Sequence, residues 1–501
     1  MLKRNDEVDV RGGSTLRNGI YNVAGQAIRG AVAIVTIPFL IRCLGLREYG
    51  VWSLAYALLA LMTMSEAGMS VAATVFLSHD LAQDNPSAAS DTVPIVLGGA
   101  ALLGIIIGIL LWVAGPQIVR TTLAFSAAER VEAGRTLQIG GLAVFVYIIQ
   151  RTLVGIEQAF DRYAAISLLD ASQSILGNVG FVIVAWFGGK AIAMMKWQLF
   201  AWAALLCAHL LFVSKLHRGK KLWTLRWSAN KARKILHFSA ATWISALGSA
   251  AFGQCDRLIV GGVLGAVPLG IYSAITNITS KINTFSGAAV QPLVPLVSRD
   301  IARNLSVESH IRQAVRLNAL IAMEAGIFLF VFADLVLRVM VPGAATHQDI
   351  VGLQIAAAIY AAYSLNAPAY FTLFSLGAAR INAFVVLVSG AASLGLIFWG
   401  ARSLGLLGAL AGNIGYLGTL LLIVLSTSTA GFALRRYLSL LALPCALFGG
   451  GCILSLVVDG HFVWRTIFFV TQAVLLLSWF MRRRDKWHWL DSKVGYPIPG
   501  H

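Results

Sequence analysis

The feature that most restricts what this chain can fold into is a succession of apolar stretches, each about 17–25 residues long, divided by short polar breaks. As an α-helix, a stretch of that length crosses a hydrocarbon layer of about 30 Å, and a helix satisfies its own backbone N–H and C=O groups where no water is available. Only 12% of the residues are charged and 58% are hydrophobic, with a mean hydropathy of +0.77. Soluble domains carry about 25% charged residues, so the chain reads as an all-α polytopic membrane protein.

The runs fall near 18–42, 51–77, 93–115, 138–156, 164–188, 191–213, 238–263, 271–297, 316–341, 350–376, 381–401, 405–428, 437–458 and 462–481. That gives about fourteen transmembrane helices. Residues 1–17 are polar, with no short apolar core ending in small residues, so the first run is expected to be a retained span rather than a cleaved leader. The five cysteines (Cys43, Cys207, Cys255, Cys445, Cys452) lie in or beside apolar stretches with no CxxC pair, and are expected to be buried, inert thiols.

A net charge of +17 could signal a nucleic-acid binder, but the Lys and Arg residues sit in short runs between spans, and no aromatic–basic module accompanies them. Of the 39, 26 fall in the termini and even-numbered loops and nine in the odd-numbered loops and their edges. That asymmetry predicts an even number of spans with both termini in the cytoplasm.

The longest basic segment, residues 215–237, divides the chain into two halves with similar openings. LGLREYGVWS (44–53) and LGAVPLGIYS (264–273) share Leu, Gly, Gly and Ser at an offset of 220 residues. With six spans between them the copies have the same orientation, the pattern of parallel repeats related by an axis along the membrane normal. The expected layout is a tail (1–17), an N-lobe of six spans (18–214), a basic linker (215–237), a C-lobe of six spans (238–428), two extra spans (429–481) and a second tail (482–501), with a central cavity between the lobes.

A charge at the centre of a membrane helix costs about 2.5–3.5 kcal/mol on insertion scales and requires a partner or a wet cavity. Arg29 and Lys281 lie well inside spans 1 and 8; Asn22 and Gln26 share a helical face with the first, and Asn277 with the second. Such a polar stripe should face a water-filled interior, and two converging cations would suit an anionic head group such as a diphosphate. Asp256 and Arg257 in span 7, Glu66 in span 2 and Glu324 in span 9 are candidates for gating or ion coupling. Asp170, Asp334 and Arg338 read as charges that pair or reach an interface. No GxxxxGK[ST] loop and no HExxH helix is present. No metal, cofactor or catalytic set is expected, and the short odd-numbered loops leave little room for an extracytoplasmic enzyme.

The stretch from Asn22 to the Gly25–Gln26 region, RCLGLREYGVWSLA (42–55), QCDRLIVGGVLGAVPLGIYSAITNI (254–278) and GLLGALAGNIGYLG (405–418) resemble segments of the Wzx-type polysaccharide flippases. Their superfamily, multidrug/oligosaccharidyl-lipid/polysaccharide (MOP), also includes the MATE antiporters and the lipid II flippase. The resemblance implies two six-helix lobes around a cationic cavity, followed by two extra helices. It further implies alternating-access transport of undecaprenyl-diphosphate-linked repeat units for lipopolysaccharide or exopolysaccharide across the bacterial inner membrane. On that reading Arg29 and Lys281 face the diphosphate or acidic sugars, and Asp256 and Arg257 order or gate the lobe. The implied partners are a lipid-linked oligosaccharide, membrane lipids, H+ or Na+ as coupling ion, and a polysaccharide polymerase with its export machinery. Two other readings stand beside it: a MATE-like cation or drug antiporter, which should be rich in buried carboxylates near the first lobe's cavity, and a membrane polysaccharide polymerase or ligase.

Reporter fusions after residues 225 and 490 should both report a cytoplasmic location; opposite sides would overturn the even span count.

Overall fold

In the computed structural model the described residues are 12–82, 86–160, 162–216, 228–251, 253–302, 306–341, 345–457 and 462–482, with backbone alone for 12–29, 241–251 and a few further positions. They are helical throughout, with no strand among them. The first half comprises α1 (Gly12–Thr63), a 3-10 turn (Met64–Glu66), α2 (Ala67–Ala82), α3 (Pro86–Thr122), α4 (Ala127–Ala159), α5 (Tyr163–Trp186) and α6 (Ala191–Leu216). The second opens with α7 (Ala229–Ala251), α8 (Cys255–Leu264), α9 (Ala266–Val290), α10 (Leu293–Ala302), α11 (Glu308–Val331) and α12 (Ala333–Met340). It continues with α13 (His347–Ser364), α14 (Ala367–Ser375), α15 (Ala379–Gly412), a 3-10 stretch (Asn413–Leu420), α16 (Leu421–Ala430), α17 (Leu434–Val457) and α18 (Phe462–Arg482).

Ten of these stretches are long and apolar enough to cross a membrane. Two of the ten contain a glycine break, at Gly45 (φ 77°) and Gly405 (φ 62°), so each holds two legs. The α7–α8 and α9–α10 stretches add two more, which brings the described residues to fourteen helical legs. Residues 229–237, assigned from sequence to the linker, are the first turns of α7. The capping boxes at Ser126–Glu129 and Thr346–Asp349 mark where α4 and α13 begin, each pairing a hydroxyl and a carboxylate with otherwise unsatisfied backbone N–H groups.

The outside of the bundle is apolar: Trp186, Phe187, Trp399 and Val457 are among its most exposed side chains. An apolar surface of this extent suits lipid and not water. Cys207 and Cys445 lie on the exposed surface, which corrects the expectation that all five thiols are buried. Hydrophobicity along the sequence does not distinguish a core-facing from a lipid-facing position, because both are apolar.

Within the first half α3 packs on α4, α4 on α6, and α1 on α5; within the second, α11 packs on α13 and α17. The halves meet where α1 crosses α9, at the two repeated segments. Gly45 and Gly265, 220 residues apart, both adopt positive φ, which only glycine takes without strain, and each starts a new helical leg. One turn later Gly50 and Gly270 bring the two backbones together. A Cβ on Gly50 would lie 2.0 Å from the Ala266 carbonyl oxygen, and one on Gly270 would lie 2.4 Å from that of Leu46. Another turn on, the Ser53 and Ser273 hydroxyls are 3.0 Å apart in a buried hydrogen bond. Every contact has its partner at the same offset, so the crossing is a pseudo-two-fold packing of the repeat on itself. Near it, Ala124 N donates to Gly261 O at 3.2 Å and Arg42 Nη2 to Val339 O at 3.5 Å, joining the halves at the same end of the bundle.

At the other end α7 lies on α2. Lys231 Nζ pairs with Asp80 Oδ2 at 2.7 Å, and the Thr92 hydroxyl of α3 donates to the same oxygen at 2.5 Å.

Gly270→Ala should destabilise the protein by about 1–3 kcal/mol, the usual range for overpacking, and lower the thermal midpoint in detergent. Gly449→Ala, with nothing within 4 Å of the added carbon, should leave the midpoint unchanged or raise it.

Candidate functional site

The sequence places Asp256 and Arg257 at the start of α8, directly after the turn that separates it from α7. Both are buried, at 4% and 8% exposure, so their charges must be satisfied within the protein. Asp256 Oδ1 accepts from the backbone N–H of Arg257 at 2.8 Å and faces Arg257 Nη1 at 3.5 Å; its Oδ2 accepts from the Tyr272 hydroxyl at 3.1 Å. Arg257 Nη1 also donates to Gly253 O and Gln254 Oε1, each at 3.2 Å, and Nη2 donates to Asn277 Oδ1 at 2.8 Å. The network extends to the first half through Asn277 Nδ2, which donates to the Tyr49 hydroxyl at 3.4 Å. In the other direction Asn413 Nδ2 donates to the Tyr272 hydroxyl, and the Tyr360 hydroxyl donates to Asn413 Oδ1, both at 3.4 Å. It therefore joins α1, α8, α9, α13 and the 3-10 stretch after α15, just behind the pseudo-two-fold crossing.

Lys281 stands one turn beyond Asn277 on α9, half-buried, with no ion pair or hydrogen bond among the described residues. Asn277 thus serves Arg257, while Lys281 projects an uncompensated cation from the next turn. Asn22, Gln26 and Arg29 fall on positions whose side chains lie outside the described residues. Glu324 on α11 is half-buried, and its Oε1 has no hydrogen-bond partner among the described residues.

Glu66 occupies the 3-10 turn between α1 and α2. Its partner is Arg151, whose Nε lies 3.7 Å from Glu66 Oε1 and whose Nη1 donates to Asp170 Oδ1 at 3.0 Å. Arg151, counted among the 26 charges of the termini and even-numbered loops although it falls within the run 138–156, sits two turns inside α4. The hydrophobic run weakens near residue 156, but the helix continues to Ala159, and the loop begins only there. The sequence reading also did not single out the fully buried Glu157–His209 pair, 2.8 Å apart between α4 and α6. A charge signal was present at Glu157, four residues before the turn, but its distance from His209 along the chain gave no hint of a partner. Asp334 pairs with Arg465 of α18 at 2.9 Å. Among the described residues no group of three or more His, Cys, Asp or Glu side chains could hold a metal ion.

The model of the family described as "Polysaccharide biosynthesis protein" matches residues 39–343, more than half of the chain and inclusive of both repeated segments. The chain belongs to that family. This polysaccharide biosynthesis protein is 20% identical over 327 residues to a curated relative from Shigella flexneri bearing the name "Putative O-antigen transporter", covering 65% of this chain and 76% of the relative. Its fold is similar to that of the lipid II flippase MurJ in an inward closed conformation, with a TM-score of 0.74, 13% identity, and coverage of 92% of this chain and 99% of the other. It is also similar to an inward-facing multidrug resistance MATE family transporter of the MOP superfamily, with a TM-score of 0.70, 12% identity, and coverage of 83% and 99%. The family match bears out the expected place in polysaccharide biosynthesis, and the helices make the protein a multi-pass membrane protein whose fold is similar to those of the MurJ and MATE transporters, as the resemblance implied.

Removing one member of the α8 pair should cost more than removing both. Arg257→Met and Asp256→Asn should each destabilise the protein by about 3–5 kcal/mol, because each leaves a buried group without its counter-charge. The double variant should recover at least half of that loss in thermal unfolding.

Proposed function

We propose that this protein is a flippase that moves undecaprenyl-diphosphate-linked polysaccharide repeat units from the inner to the outer leaflet of the bacterial cytoplasmic membrane by alternating access. The observation that carries the reading is Lys281: a cation with no ion pair among the described residues, on the helix that forms the interface between the halves. It lies eight residues beyond Ser273, about 12 Å further along α9 from the end where the halves are joined. A sugar diphosphate cannot cross hydrocarbon without a polar environment in place of its water, and a lysine supplies the opposite charge for it. Arg29, expected from sequence on the facing leg of the first half, would add a second cation, with Asn22 and Gln26 on its stripe.

The pseudo-two-fold crossing is the outer gate, which parts for release on that side. The two halves meet there through Gly50, Gly270 and the Ser53–Ser273 bond and at the other end through α7 on α2, so opening toward either side parts one of two separate contacts. With both termini cytoplasmic, the crossing lies at the outer end, and the α2–α7 contact with its Lys231–Asp80 pair closes the cytoplasmic end. Glu66, Glu324 and the Asp256–Arg257 pair are the coupling or gating groups, with H+ or Na+ as the ion, and a polymerase and export machinery receive the product. The fold likeness to a MATE transporter favours a cation antiporter as the second reading, but an unpaired lysine beside the crossing repels such a substrate.

Two variants test this in a strain whose surface polysaccharide depends on the protein. Lys281→Ala should reduce export to below a tenth of wild type at normal protein level, whereas Lys281→Arg should retain most of it; full export by Lys281→Ala would remove the cationic site. With the native cysteines replaced, Ser53→Cys with Ser273→Cys should form a disulfide on oxidation, since the two hydroxyl oxygens already lie 3.0 Å apart. The disulfide should block export until reduced; transport by the cross-linked form would exclude opening at this crossing.

A further inference from the structure

The Glu66–Arg151–Asp170 cluster contains two carboxylates and one guanidinium in the interior of a membrane protein. Tyr147, one turn before Arg151, and Tyr56 of α1 are the other titratable groups close by, and phenols are uncharged at neutral pH. From the remaining elements that pack there, α2 contributes nothing titratable before His79, α5 only Tyr163 besides Asp170, and α7 nothing after His237. The next acid on α4, Glu157, is committed to His209. With every carboxylate ionised, the cluster would therefore hold one uncompensated negative charge.

We infer that the cluster holds one exchangeable proton, carried on the Glu66 carboxyl beside an Arg151–Asp170 ion pair. The geometry divides the roles. Asp170 takes a direct hydrogen bond from Arg151 Nη1 at 3.0 Å, whereas Glu66 stands 3.7 Å from Nε, beyond hydrogen-bond distance. Glu66 Oε2 is buried and has no hydrogen-bond partner among the described residues. An ionised carboxylate in that position would forgo both its hydration and its donors, and it neutralises by taking a proton from water and returning it to water when the site opens. A metal cation fits the site less well, because the guanidinium already occupies the space between the two carboxylates. The α2 dipole does not hold Glu66 ionised, since the helix runs on through the 3-10 turn into α1 and presents no free end there. A 3-10 turn within a span is also a place where the backbone can change its hydrogen-bond register, so protonation of Glu66 and the shape of the α1–α2 leg are linked.

This deepens the ion-coupling part of the proposed function and rests on it for its role, but its test needs no substrate and succeeds or fails apart from transport. Infrared spectra of the full-length protein in nanodiscs, in light and heavy water at neutral pH, report protonated carboxylic acids through their C=O stretch. The wild type should show such a band, and Glu66→Gln should lose one carboxyl's amplitude against the constant background of the other carboxyls. Asp170→Asn should lose the same amplitude, because Glu66 then neutralises Arg151 alone. Arg151→Met should double it, and serves in place of Asp170→Asn if that variant does not fold. An unchanged band in Glu66→Gln would overturn the proposal, as would loss in Glu66→Gln with none in Asp170→Asn or no growth in Arg151→Met, since the proton would then not follow the charge count.

Discussion

The closest approach between the two halves is of backbone against backbone, and the rest of the architecture is arranged around it. Gly50 and Gly270 leave no room for a side chain, and the helix axes meet at a distance that larger residues would prevent. In lipid, apolar side chains have no water to escape, so helices associate through close packing and buried hydrogen bonds. The glycine contact provides the first and the Ser53–Ser273 bond the second. Because each half contributes the same residues at the same offset, neither can shift without breaking both contacts. This gives the crossing a single defined register.

Buried charge is treated in two ways around that crossing. In the second half Asp256 and Arg257 are neutral as a pair, with their remaining polar atoms engaged by Tyr272, Asn277, Gln254 and a backbone carbonyl. Fully satisfied networks of this kind specify one arrangement of helices. Lys281 and Glu66 are different. The first has no partner among the described residues, and the second has only a share of one. Groups left in that condition are the ones able to interact with something that arrives from outside, and they lie in different halves, on opposite sides of the crossing.

Periodicity in the fold was legible in the sequence because hydrocarbon imposes a length and a polarity on each crossing. The repeat at 44–53 and 264–273 was legible as well, through four identical residues. What those residues do was not: nothing in the letters Gly50 and Gly270 says that one packs against the other's segment. Asn277 illustrates the same gap. Its position one turn before Lys281 suggested a shared polar stripe, yet its amide carbonyl accepts from Arg257 and its amide nitrogen reaches Tyr49 of the other half. Arg151 lies inside both the apolar run 138–156 and α4, yet nothing along the chain says that its partners are Glu66 and Asp170.

The sequence by itself determined the membrane-embedded helical class, the two-fold internal repetition and the presence of costly charges in the interior. These are one-dimensional properties, fixed by transfer free energies that act on each segment separately. The tertiary structure alone decided which charges are matched and which are not, because pairing depends on distances between residues far apart in the chain. It joined Glu66 to Arg151 and Asp170, closed Asp256 and Arg257 into a network, and left Lys281 without a counter-charge among the described residues. The apolar runs of the sequence explain why the protein is in the membrane, and the balance of a few charges within them is what the proposed transport rests on.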